Sequence, residues 1–130
     1  MKKKYSVLIV DDDPSNLMQL FHILRSEYNI LTAIDGVSVL EKANTFLPDL
    51  ILLDVIMPDM SGYEVLAELK KSDKTKSIPV TFITGLSKED NESEGQIMGA
   101  VGYIRKPFSA EVVKLSVSQQ IQIIDQQQDL

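Results

Sequence analysis

At 130 residues the chain has the length of one domain and can bury about two-thirds of its unfolded surface without external staples. Hydrophobic residues make up 44% and charged residues 25%, close to ordinary globular chains and unlike disordered or fibrous ones. The lack of cysteine excludes a disulfide framework, a thiolate nucleophile and cysteine-ligated zinc, a lone His22 cannot build a histidine metal cage, and 13 basic against 19 acidic residues (net −6) oppose nonspecific binding to phosphate backbones or anionic lipid.

Lys2, Lys3 and Lys4 precede an apolar stretch as the basic part of a secretory leader would, but Tyr5 to Val10 stops at three aspartates and is too short for a leader's apolar core. The three lysines read as a solvated leader. No apolar run approaches the roughly 18 residues that a membrane-spanning helix requires. The expected location is therefore the cytoplasm, with neither membrane nor nucleic acid as a direct partner.

Short β-branched runs alternate with stretches of 3.6-residue period. Tyr5 to Val10 predicts a strand. A helix begins at about Pro14, with Asp13 placed to cap it and Leu17, Leu20, Phe21 and Leu24 on one face; His22 falls off that stripe and reads as a surface residue. A second strand is expected near Asn29 to Ala33. Gly36 then turns into a helix carrying Leu40, Ala43 and Leu47, which Pro48 stops. Asp49 to Asp54 predicts a central strand whose four consecutive apolar residues imply burial on both faces. Ser61 and Glu64 have capping-box spacing before a third helix with Leu66 and Leu69 inward. A fourth strand covers Ile78 to Thr84. The fourth helix, opened by Ser87 with Asp90 three residues on, is weak because Asn91, Ser93 and Gly95 are poor formers, and it is expected to be the most mobile element. Val101 to Arg105 predicts a fifth strand, and a last helix runs from Ser109 to at least Ile124.

Five strands alternating with five helices specify a parallel sheet with helices on both faces, because parallel neighbours need right-handed helical crossovers. The ligand site of such a sheet lies beyond the carboxyl ends of its strands. Asp11, Asp12 and Asp13 end the first strand, Asp54 the third, Thr84 the fourth and Lys106 the fifth. Carboxylates brought that close repel one another unless a cation offsets them, and oxygen-only ligands select a hard ion, of which Mg²⁺ fits best. A hydroxyl and an ammonium opposite complete a cradle for a phosphoryl group. An Asp carboxylate can accept that group covalently while cation and lysine stabilise the equatorial oxygens.

Val10 followed by Asp11 and Asp12, the run Leu53 to Pro58 with Gly62, Thr84, and the run Tyr103 to Phe108 together resemble the receiver domain of bacterial two-component response regulators, of the chemotaxis-regulator type. The resemblance covers about residues 5 to 120. It implies a doubly wound, flavodoxin-like three-layer sandwich with strand order 2-1-3-4-5. It makes Asp54 the phosphoacceptor for a histidine kinase or phosphotransfer protein. Asp11, Asp12 and Asp54, with the backbone carbonyl of Ile56, would hold Mg²⁺; Thr84 and Tyr103 match the switch pair, and Lys106 the phosphoryl-binding lysine before a proline bond that is usually cis. The implied output is a changed face of fourth helix, fifth strand and last helix, which controls an output domain or downstream protein and offers a homodimer contact. The chain would then be a switch rather than an enzyme.

The sequence departs from the family in three places. Gly85 stands where alanine is commoner, Val101 where aspartate is, and Ile56 is apolar two residues past the acceptor. Ile56 cannot assist a hydrolytic water, so a long-lived phosphoryl state is expected. Tyr103 also has a plain packing reading at a strand edge.

Val113, Val117, Ile121 and Ile124 carry a 4-4-3 apolar spacing to the end of the last helix. Residues 1–120 therefore read as the receiver and 121–130 either as the start of a signalling helix to an output domain or as a frayed end. Two other functions fit parts of the pattern. A haloacid-dehalogenase-like phosphohydrolase would use Asp11 as nucleophile and Asp13 as acid/base, leaving Asp54 without a job. An unphosphorylated pseudo-receiver would not need the full polar set.

Overall fold

The computed structural model describes residues 4–85 and 99–128. Five strands, β1 (Ser6–Val10), β2 (Asn29–Ala33), β3 (Leu50–Asp54), β4 (Val80–Thr84) and β5 (Gly102–Arg105), form one parallel sheet in the order β2-β1-β3-β4-β5. Four helices accompany it among the described residues: α1 (Pro14–Leu24), α2 (Gly36–Phe46), α3 (Gly62–Lys71) and α4 (Ala110–Gln128). The helix predicted from Ser87 lies outside the described residues, so four stand where five are expected.

The two-residue period of the strands divides the core into two layers. Leu8 and Val10 of β1, Ile51 and Leu53 of β3, and Val80 and Phe82 of β4 pack with Val39 and Ala43 of α2 and Val65, Leu66 and Leu69 of α3. The alternate residues Val7, Ile9, Leu50, Leu52 and Ile83 pack with Leu20 and Leu24 of α1 and Val113 and Val117 of α4. Leu50 to Leu53 are fully buried, as an apolar run between two helical layers requires.

Local signals explain most boundaries. The Asp13 carboxylate accepts from Ser15 N at 2.9 Å and caps α1, with Pro14 in the first turn. Ser61 Oγ accepts from Glu64 N at 3.1 Å at the start of α3. Leu47 departs from the expected inward stripe: it ends α2 in the left-handed region (φ 48°) and is 48% exposed. Pro48 is the reason, since the residue before proline is excluded from continuing the helix. β4 begins two residues later than Ile78, because Pro79 has no N–H for the ladder and contributes only its carbonyl, which accepts from Ile51 N at 3.0 Å. Val101 likewise precedes β5, although its N–H bonds Val80 O at 2.9 Å.

Candidate functional site

The carboxyl ends of β1, β3 and β5 bring Asp11, Asp54 and Lys106 together. Asp11 is fully buried: Oδ1 accepts from Asp13 N at 2.9 Å, and Oδ2 lies 2.9 Å from Lys106 Nζ. Asp54 is 4% exposed, with Oδ1 accepting from Ile56 N at 3.3 Å and Oδ2 from Lys106 Nζ at 3.1 Å. Asp12 is exposed beside them, and Asp11, Asp12 and Asp54 each offer an oxygen within 4.8 Å of the others. Lys106 also closes the β4 end through its N–H to Thr84 O at 2.9 Å, and the Lys106–Pro107 bond is cis.

Among the described residues, the Lys106 ammonium thus pairs with the Asp11 and Asp54 carboxylates, with Asp12 a third carboxylate beside them. Burial pushes the Asp54 carboxyl up to about 6, further than the hydrogen bond and charge of Lys106 pull it down, and the Asp11 charge adds to the rise. Burial draws Lys106 down, but its close pairing with the Asp11 and Asp54 carboxylates outweighs that and raises it overall.

A divalent hard cation fits this donor set. The ligands are all oxygen, the carboxylates outnumber the ammonium, and the buried Asp11 Oδ2 has no aligned hydrogen-bond donor among the described residues despite its close ion pair. Such an oxygen retains lone-pair capacity in a place where leaving it unmet is costly.

Thr84 is buried at the end of β4. Tyr103 is half-buried, its ring 5.5 Å from Phe82, which in turn meets Tyr63 edge-on at 5.2 Å. That row gives Tyr103 the packing contact expected of a strand-edge aromatic. Ile56 turns an apolar side chain outward (59% exposed) while its main chain contacts Asp54. At Gly85 an added Cβ would meet no atom of the described residues within 4 Å. Asp13 is engaged in its cap, and His22 is exposed with its ring against Phe21.

Gly62, already part of the receiver-like run, finds its physical reason only in three dimensions, and Asp59 stands out only there. A Cβ on Gly62 would lie 2.5 Å from the Asp54 carbonyl oxygen, so the third helix can start this close to the acceptor only with glycine. Asp59 reaches across to the first amides of α2. Neither partner is adjacent in sequence, and no local pattern announces either contact.

Residues 7–118 match the family described as the response regulator receiver domain. Among curated relatives, a probable cyclic di-GMP phosphodiesterase of Vibrio cholerae is 41% identical over 117 residues, covering 90% of this chain and 26% of the relative. The alkaline phosphatase synthesis transcriptional regulatory protein PhoP of Bacillus subtilis is 38% identical over 118 residues, covering 90% of this chain and 48% of the relative. The chain thus spans about a quarter to a half of those proteins. Among solved structures, the chemotaxis response regulator CheY4 of Vibrio cholerae superposes with a TM-score of 0.85 at 31% identity, covering 91% of this chain and 99% of that one. With the sheet order, the clustered aspartates and the facing lysine already in place, these matches show that the chain belongs to the response regulator receiver domain family.

Proposed function

We propose that this domain takes a phosphoryl group from a phosphohistidine onto Asp54 in a Mg²⁺-dependent reaction and so switches a binding surface. The observation that carries the reading is Lys106 Nζ set between the buried Asp11 and Asp54 carboxylates at 2.9 and 3.1 Å. In the transfer, an Asp54 oxygen forms a bond to phosphorus as the phosphorus–nitrogen bond breaks, and the electron pair returns to the imidazole nitrogen of the donor, which takes up a proton. With its carboxyl at about 6, Asp54 is mainly ionised at neutral pH and ready to attack. Lys106 is placed to neutralise the incoming phosphoryl oxygens. Mg²⁺, held by Asp11, Asp12, Asp54 and the Ile56 carbonyl, would supply charge neutralisation on those oxygens and align them.

Phosphorylation then biases a two-state equilibrium, with Thr84 and Tyr103 as the reporting pair. The altered surface includes β5 and α4, and its partners are an output domain or downstream protein, with a second copy of the chain as a further occupant. Within residues 121–130, the last helix, described to Gln128, leads from the receiver toward such an output. Relatives of two to four times this length, a phosphodiesterase and a transcriptional regulator by name, support that organisation. The protein works in the cytoplasm, and in the described residues no helix is long and apolar enough to cross a membrane.

Intact mass after incubation with acetyl phosphate tests the chemistry. A single phosphoryl adduct that needs both Mg²⁺ and Asp54, and is lost in Asp54→Asn, is the expected result. No adduct under any condition would refute it and leave the pseudo-receiver and phosphohydrolase readings, which turnover of a chromogenic phosphate ester separates. The apolar Ile56 side chain gives the adduct a long life, so Ile56→Asn should lose it faster; an unchanged decay rate would remove that part.

A further inference from the structure

The loop that leaves Asp54 is fastened twice. At its base, Gly62 N donates to Val55 O at 2.7 Å, and the glycine lies against the Asp54 main chain. At its tip, Asp59 spans to the start of α2: Oδ1 accepts from Gly36 N at 2.9 Å and Oδ2 from Val37 N at 3.1 Å, while Oδ1 also accepts from Met60 N at 2.9 Å. These are among the amides that a helix start leaves without internal partners. α2 already has a cap of its own, Asp35, whose carboxylate accepts from Ser38 N at 2.8 Å. Two carboxylates therefore divide one helix start between them, and only Asp59 comes from the acceptor loop. The fit is close, because a Cβ on Gly36 would stand 2.9 Å from Met60 Cβ and Sδ. Between the two fastenings lies Ile56, whose N–H contacts Asp54 Oδ1.

We propose that Asp59 is a positioning residue for the phosphoacceptor site: by tying the loop tip to α2 it fixes the main chain at Ile56, and thereby sets Mg²⁺ affinity and the rate of phosphoryl uptake. Asp59 touches none of the reacting groups and acts through the loop alone. The inference rests on the receiver chemistry proposed above, and deepens it.

The comparison of Asp59→Ala with Asp35→Ala separates positioning from stability. Both remove a carboxylate from the same helix end, but only Asp59→Ala frees the loop. Mg²⁺ titration followed at the Ile56 amide by NMR, together with the initial rate of the acetyl phosphate adduct by intact mass, should show roughly ten-fold weaker Mg²⁺ binding and slower uptake in Asp59→Ala, the low end for partners that orient metal ligands. Asp35→Ala should keep both at the wild-type level even if its thermal midpoint falls as far. Asp59→Asn, which retains one acceptor oxygen, should lie between. Gly36→Ala, which displaces Met60 and leaves the Asp59 carboxylate intact, should shift both readouts in the same direction. Wild-type behaviour of Asp59→Ala, or an equal loss in Asp35→Ala, would overturn the positioning role alone. A wild-type protein that neither binds Mg²⁺ nor takes the adduct would refute the receiver chemistry and the positioning role with it.

Discussion

Asp54→Asn should stabilise the protein at neutral and alkaline pH and lose that advantage in acid. The raised carboxyl is the cause: from the ordinary value of 3.8 to about 6 corresponds to at most about 3 kcal/mol of preference for the protonated form in the folded state. The sign follows from proton binding. Between 3.8 and about 6 the folded protein holds the Asp54 proton more tightly than the unfolded chain, so stability falls as pH rises through that window and is then flat for this group. Asparagine removes the titration but cannot satisfy both neighbours. If its carbonyl faces Lys106, its amide faces the Ile56 N–H, losing a hydrogen bond worth about 1 kcal/mol. The expected gain is therefore about 1–2 kcal/mol at pH 8, turning to a loss of about 1 kcal/mol near pH 4. Urea unfolding of both proteins at matched ionic strength in metal-free buffer measures it, because other carboxylates titrate in both and cancel in the difference. Lys106, raised by Asp11 and Asp54, stays charged throughout that range. A difference that is constant from pH 4 to pH 8, or that favours wild type increasingly as pH rises, would refute the account of Asp54 as a carboxyl raised chiefly by its burial, against the pull of Lys106.

Mg²⁺ at ten times its dissociation constant should raise the unfolding free energy of the wild type by about 1.4 kcal/mol, and the gain should vanish in Asp11→Asn, read as the shift in thermal or urea midpoint. Gly62→Ala should cost about 1–3 kcal/mol and slow adduct formation, since its Cβ would meet the Asp54 carbonyl at 2.5 Å, whereas Gly85→Ala, whose Cβ would meet no atom of the described residues, should stabilise by about 0.4–1 kcal/mol; urea unfolding of the two compares them directly. Thr81→Val should stabilise by about 1–2 kcal/mol in the same assay, because the Thr81 hydroxyl is fully buried in β4 with no hydrogen-bond partner among the described residues.

The sheet was legible because its information is local. A run such as Leu50 to Leu53 carries its own burial, and Asp13, Pro14 and Ser61 announce their helix ends within three or four residues. The cluster of Asp11, Asp12, Asp54 and Lys106 was legible for a different reason: parallel topology sends every strand's carboxyl end to one edge, so residues far apart in sequence become neighbours once the strands are placed. What sequence could not supply was contact between loops. Asp59 to Gly36 and Val37, Met60 over Gly36, and Gly62 against Asp54 each depend on how two connections cross, and connections have no period. Leu47 failed for a smaller reason, since its spacing fits the α2 stripe but the following proline turns it out.

In the last helix the apolar spacing first serves the domain's own core. The spacing of Val113, Val117, Ile121 and Ile124 has the form of a seam for a second helix. In the fold, Val113 and Val117 are fully buried, and Ile121 and Ile124 pack against the same cluster as Tyr5 and Tyr28. Tyr5 OH also bonds the Asp125 carboxylate, so the helix is fastened to the first strand's beginning well past the point where the sheet is covered. The seam's partner is the domain itself. A coiled coil built on these four residues would first have to strip them from the body and expose Tyr5 and Tyr28, a loss of buried apolar area that the new interface would have to exceed. The stripe left outside, with Val112, Leu115 and Ile123 exposed, lies on a different face of the same helix. Any helical partner that leaves the receiver intact must therefore meet α4 on that outer face or beyond Asp125.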